Sequence, residues 1–245
     1  MDCKRALAET GGDLEAARKL LRERGIAHAG KRAGRATSEG VVLVTISGNV
    51  GTMVAVGCET EPVSRNAEFL AYAERVLEAV EEGGREALEA LEDERAELIG
   101  KIGENIVVVG ADRLEAGDGE TLAEYVHPPA NKIGVLVKVR GANLLAARRL
   151  AMHISFAAPR YATRAEVPEE ELAAERAIYE RQPDVRSKPE QIRGQIVEGL
   201  LAKRFFGELV LADQTWIHDT GKTVTQALEE EDLEVLQFVR YALSE

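Results

Sequence analysis

The sequence has little cysteine. Its two thiols, Cys3 and Cys58, stand far apart in 245 residues. That spacing excludes a disulfide framework and a zinc site, and leaves a reduced protein with partly buried thiols. No apolar run reaches the roughly 18 residues that a membrane-spanning helix needs. The start, Met1-Asp2-Cys3-Lys4-Arg5, is not followed by the apolar stretch of a secretory signal. A cytoplasmic protein without membrane contact is the expectation. Basic charge is also short: 31 Lys and Arg face 43 Asp and Glu, for a formal net charge of -12. Such a chain repels a phosphate backbone, so direct nucleic-acid binding is not expected and a basic or mixed protein surface is the better partner. The one short basic cluster is Lys31, Arg32 and Arg35.

Catalytic signatures are missing too. The four histidines stand at 28, 127, 153 and 218, none in an HExxH pattern and none beside a cysteine at ligand spacing. Gly221-Lys222-Thr223 ends like a phosphate loop, but Trp216 occupies the position of that motif's first glycine. A turn leading into a helix is the simpler reading. Glu59 and Glu61 flank Thr60 and have the chemistry for acid–base work, yet nothing nearby supplies a nucleophile. No enzyme activity, metal site or cofactor is expected.

What is present is a core's worth of apolar residues, 45% of the chain, enough for one or two domains. Lys4 to Glu9 and a stretch after Asp13 read as short helices separated by Gly11-Gly12, with Asp13 as N-cap, Leu14, Ala17 and Leu21 on one face, and Gly25 as the stop. Residues 27–40 lack periodicity and read as a linker. Val41–Ile46 and Thr52–Val56 are β-branched runs around a glycine-bearing turn, a hairpin. Residues 66–80 carry Phe69, Ala73, Val76 and Val80 at helical spacing, and a second helix is expected over about 85–99. Strands are expected at 106–109, 122–126, 133–139, 208–211 and 238–241. Helices are expected at about 143–157, from Pro168 to a stop at Pro183, from Lys188 through Phe205, and at about 223–230. Hairpin-like strands and runs of helices favour an α+β fold over a doubly wound parallel sheet.

The order of several short motifs is more specific than any one of them. Met1-Asp2-Cys3-Lys4-Arg5-Ala6-Leu7, then Gly12-Asp13-Leu14-Glu15-Ala16-Ala17, opens the chain. Cys58 to Asn66, Lys101-Ile102-Gly103-Glu104-Asn105-Ile106, Ile133 to Val137, Ala151-Met152-His153-Ile154, Lys188 to Ile192, Ile196 to Gly199 and Gly221 to Val224 follow. In that order and spacing the chain resembles the elongation factor Ts family over nearly its whole length. The resemblance implies an incomplete ubiquitin-associated-like helical module at 1–26 and a linker at 27–40. It implies a core of two related α+β subdomains with small antiparallel sheets, at 41–130 and 131–245, with a helical projection at about 168–206.

Three departures from the family pattern stand out. The family's first helix is expected ahead of Met1, leaving a misplaced start or a truncation as the two readings. The family's Thr-Asp-Phe-Val loop reads Thr60-Glu61-Pro62-Val63 here. The C-terminal helical module of longer members is not expected. By resemblance the partner is elongation factor Tu, and the function is exchange of its bound GDP for GTP through disruption of its Mg²⁺ and phosphate site. Thr60, Glu61, Pro62 and Val63 would act there. Further contacts carried over by resemblance are Met1, Asp2, Lys4, Ile133, Gly134, His153, Ile217 and His218, with core packing as the competing reading for Ile133, Gly134 and His153. An adaptor that binds a partner helix without promoting exchange is the alternative function.

Overall fold

The computed structural model describes residues 2–32 and 34–243, with the backbone alone for 2, 3, 22 and 24–31. The chain falls into two compact units. The first comprises residues up to Glu115, Val126–Leu136 and the chain from Tyr241 on; the second comprises Ala116–Tyr125 and Val137–Arg240. The fold is α+β, with two small three-stranded antiparallel sheets among the described residues.

In the first unit, α1 (Asp2–Glu9) and α2 (Leu14–Arg32) are separated by Gly11 and Gly12, whose φ of 64° and 88° a side chain would disfavour. One Asp13 carboxylate oxygen accepts the amides of Glu15 and Ala16 at 2.9 and 3.0 Å, so the expected N-cap forms. The expected stop at Gly25 does not. The helix runs through Gly25 and the first part of the expected linker to Arg32, whose guanidinium donates to the Ile99 carbonyl at 3.3 Å. A mid-helix glycine costs about 1 kcal/mol, which tertiary contact at the far end of the helix readily offsets. Leu14 is 68% exposed, so the expected leucine face is only partly covered.

The hairpin strands are β1 (Glu39–Ser47) and β2 (Val50–Cys58), joined by a two-residue turn at Gly48-Asn49. β3 (Val107–Glu115) pairs with the other edge of β2. β2 is therefore central, which is why Gly51 through Cys58 are all buried. A one-turn helix, α3 (Glu61–Ser64), follows β2, and α4 (Ala67–Gly83) lies next. The apolar stripe of α4, Phe69, Tyr72, Ala73, Val76 and Val80, packs with Val41, Val54, Val56, Leu98 and Ile99 in one core. The helix expected over 85–99 is split. Gly84 ends α4 at φ 71°, Arg85–Leu91 is a 3₁₀ stretch, and α5 spans Glu92–Ile102. Glu92, Asp93 and Glu94 occupy its first turn, where acidic side chains suit the positive end of the helix dipole.

The second sheet has the order β4 (Glu120–Val126), β5 (Ile133–Arg140), β6 (Glu234–Ala242). In the second unit, α6 (Leu144–Ala157) starts at Asn143, whose side chain accepts the Ala146 amide, and buries Leu150, Ala151, His153 and Ile154. α7 (Glu169–Arg181) and α8 (Pro183–Arg186) follow, with Pro183 starting a short helix rather than merely ending one. α9 (Glu190–Leu200) continues through a π-helical turn, Leu201–Phe206, into α10 (Gly207–Leu209). Tyr179, Val185, Val197, Leu201, Phe205 and Phe206 form the core of this region.

The strand expected at 208–211 is absent. The Val210 amide still bonds to the Phe206 carbonyl in helical fashion, and only a single bridge joins Val210 to Tyr161. Val210 is extended, at φ -106° and ψ 116°, but it is one residue between the end of α10 and a 3₁₀ turn at Leu211–Asp213, and both Val210 and Leu211 are buried. α11 (Val224–Glu229) begins at Thr223 with a reciprocal capping box to Gln226. No helix among the described residues is long and apolar enough to cross a membrane.

Candidate partner-binding loop

β2 ends at Cys58, and the chain then turns outward. Thr60 is extended at φ -129° and ψ 151°, and α3 begins at the next residue with Pro62 in its first turn. The amides of Val63 and Ser64 return to the Thr60 carbonyl at 3.1 and 3.2 Å. Asn66 then caps α4 by accepting the amides of Glu68 and Phe69 at 2.9 and 3.3 Å. A single helical turn is thus fixed between a buried central strand and a core helix. Thr60, Glu61 and Pro62 are exposed, whereas Val63 is half-buried against the core. The Glu61 carboxylate lies 2.6 Å from the Arg65 guanidinium on the surface.

Glu59 and Glu61 do not share a site, so the acid–base reading falls. Glu59 turns back, accepting the Asn105 amide at 2.7 Å and pairing with Arg35 at 3.4 Å. The two residues that sequence reasoning left without a role are Glu104 and Asn105. Glu104 accepts the amides of Glu59 and Thr60 and the Thr60 hydroxyl. Both belong to the Lys101–Ile106 motif, whose recognition was the only available signal. Burial, and then the charge of Glu104, push the Cys58 thiol up to about 12, so it stays protonated and unreactive.

The second unit holds the other cluster. Trp216 stacks on His153 at 5.1 Å and meets the edge of His218 at 4.9 Å. His153 is fully buried. Its Nε2 is 2.9 Å from Gln214 Oε1, and its Nδ1 faces the Ile217 amide at 3.4 Å. The Gln214 amide nitrogen donates to the carbonyls of Ala157 and Glu208, which leaves its oxygen as the acceptor. His153 is therefore the neutral Nε2–H tautomer, with Nδ1 already taken by a donor. Burial holds its pKa below the usual 6.5, with the nearby His218 adding to the effect and the Gln214 bond opposing it.

A titration prediction follows from that environment. Below pH 6.5 the unfolded chain takes up a proton that native His153 refuses, so stability is lost as pH falls from there toward the lower native value. His153→Gln is expected to remove this component. The slope of unfolding free energy against pH, measured by urea melts below pH 6.5, should flatten by at most one proton's worth, about 1.4 kcal/mol per pH unit. Identical slopes for variant and parent would contradict it.

The remaining expected contacts separate. Gly134 is buried, and a Cβ there would sit 2.4 Å from Val42 Cγ1, so this glycine permits a close approach in the core. Ile133 is half-buried on β5. For Gly134 and His153 the packing reading is the one that their burial describes. Ile217 is half-buried, and His218 is exposed with its Nε2 3.2 Å from the Arg149 carbonyl. Lys4 is exposed on α1; Met1 and the side chain of Asp2 lie outside the described residues. The phosphate-loop imitation is a turn: Lys222 pairs with Asp219 and Glu230, and Thr223 caps α11.

Residues 59–245 match the family described as Elongation factor TS. An elongation factor Ts from Thioalkalivibrio sulfidiphilus is 40% identical over all of this chain and 87% of its own length. Those of Idiomarina loihiensis and Escherichia coli O139:H28 are 38% and 37% identical, each over all of this chain and 86% of their own length.

Proposed function

The chain belongs to the elongation factor Ts family and is a translation elongation factor, and from that premise we propose that it binds elongation factor Tu carrying GDP and promotes replacement of GDP by GTP. The observation that supports this reading is the Thr60–Val63 turn. It is exposed at its tip, tied down at both ends, and carries a carboxylate beside a conformationally fixed proline. Exchange of this kind needs no chemistry from the factor. The factor must favour the form of Tu whose nucleotide site is weakened, and linkage then makes factor and nucleotide lower each other's affinity. Glu61 and Pro62 are the groups that reach toward the Mg²⁺ and phosphate site. Val63, packed inward, acts as their anchor. Lys4, Ile217 and His218 remain as accessory contacts on their respective units. The experiment that tests the reading is release of fluorescently labelled GDP from Tu at substoichiometric amounts of this protein.

The same linkage makes Mg²⁺ an antagonist. If the factor favours Tu with a disrupted ion site, added Mg²⁺ must favour release of the factor. Titration calorimetry of the protein into Tu·GDP, at fixed ionic strength, is expected to show affinity falling by at least about fivefold from low to saturating Mg²⁺. Fixed ionic strength keeps screening of the -12 net charge out of the comparison. An affinity indifferent to Mg²⁺ would leave Thr60–Val63 as an ordinary docking turn.

A further inference from the structure

One carboxylate holds the entrance to the Thr60–Val63 turn. Glu104 Oε2 accepts the Glu59 amide at 3.1 Å and the Thr60 amide at 3.0 Å, and its Oε1 accepts the Thr60 hydroxyl at 2.6 Å. Glu104 follows Gly103, which closes α5 in the left-handed region at φ 88°. The bonding also runs the other way. Glu59 accepts the Asn105 amide at 2.7 Å, and the Asn105 side chain, 1% exposed, donates to the Arg35 carbonyl at 2.9 Å. Two turns, one after β2 and one after α5, are thereby clasped by reciprocal carboxylate-to-amide bonds.

Thr60 shows that the clasp takes precedence over local structure. It occupies the N-cap position of α3, where a threonine hydroxyl ordinarily accepts an amide of the first helical turn. It makes no such bond. Its hydroxyl points instead to Glu104, across 44 positions of sequence. The backbone at Thr60 sets the direction in which Glu61 and Pro62 leave the body of the unit, so whatever fixes Thr60 aims the tip.

We propose that Glu104 is the positioning residue of the exchange turn: it aims Glu61 and Pro62 at the partner and does not itself act on the partner. This rests on reading the turn as the part that acts on Tu. Without the clasp the tip samples several directions, and only the productive fraction contributes, which lowers apparent efficiency in proportion to that fraction. The neutral isostere should largely retain the geometry. In Glu104→Gln one oxygen still accepts the two amides, and the new amide group donates to the Thr60 hydroxyl.

The test uses the full chain with two readouts: amide hydrogen exchange at Glu59 and Thr60 in the free protein by NMR, and acceleration of labelled-GDP release from Tu. Glu104→Ala is expected to speed exchange at those amides by roughly tenfold and to reduce the acceleration of GDP release by a similar factor, while Glu104→Gln keeps most of both. Glu104→Asp keeps the charge but draws the carboxylate back by one methylene. It should show about a threefold loss in both readouts, and it decides the matter if the alanine variant does not fold. Unchanged amide protection in Glu104→Ala and Glu104→Asp would overturn the proposal. So would slowed GDP release with protection intact, because Glu104 would then be a direct contact. If the parent protein does not accelerate GDP release, the functional reading fails, and the amide readout still decides whether Glu104 fixes the turn.

Discussion

Replacing Glu61 and Pro62 together by alanine is expected to cut the acceleration of GDP release from Tu by about 5- to 150-fold, the range of a typical coupling free energy. Binding to Tu should weaken much less. Both residues are exposed at the tip of α3, so their removal leaves no cavity and no buried group unpaired. The pair between Glu61 and Arg65 is a surface pair, worth about 0–1 kcal/mol, and gives way readily to a stronger partner. Pro62 fixes φ in the first turn and removes a backbone donor, so its loss softens the tip as well as trimming it. Val63 stays in place against the core and keeps the turn attached. Stopped-flow release rates at saturating factor separate the two effects. Equal rates for variant and parent would remove Glu61 and Pro62 from the mechanism, and a loss confined to affinity would make them docking residues only.

Phe69→Ala is expected to destabilise the first unit by about 3–5 kcal/mol. Phe69 is fully buried one turn into α4, among the apolar residues of β1, β2 and α5. Truncation loses the transfer energy of the ring and leaves a cavity that a central strand and a core helix close poorly. Its amide is also one of the two that Asn66 caps, so the start of α4 follows closely on the Thr60–Val63 turn. Phe156 is the matched control. It lies on α6 at 81% exposure, and Phe156→Ala should stay within about 0.5 kcal/mol of the parent. Urea melts of the two variants check the contrast. A loss at Phe69 no larger than at Phe156 would show that the α4 stripe is not the support of the sheet.

The features legible in the sequence are those with a local cause. The Asp13 and Thr223 caps, the Gly48-Asn49 hairpin turn and the stripe through Phe69, Ala73, Val76 and Val80 each need only a few neighbouring residues to recognise. Gly25 misled because a helix breaker is overruled when distant residues hold the helix, here through Arg32 and Ile99. Residues 208–211 misled because so short a run has no period long enough to separate a strand from a helix end followed by one extended residue. At the candidate site, resemblance singles out Thr60–Val63, and composition would not do so. Glu104 could not be read locally at all, since its bonds to Glu59 and Thr60 span 45 and 44 positions. His153 reads equally well as a contact or a core residue in sequence; its burial against Trp216 and Gln214 depends on tertiary packing.

The most direct test of exchange activity is the release of labelled GDP from Tu, followed by stopped flow with this protein at one-tenth of the Tu concentration or less and unlabelled nucleotide in excess. Every Tu is expected to release its GDP at an accelerated rate, because each factor molecule turns over many times. Release at the intrinsic rate, with a stable complex still detected between the two proteins, would contradict exchange activity and leave an adaptor that only binds.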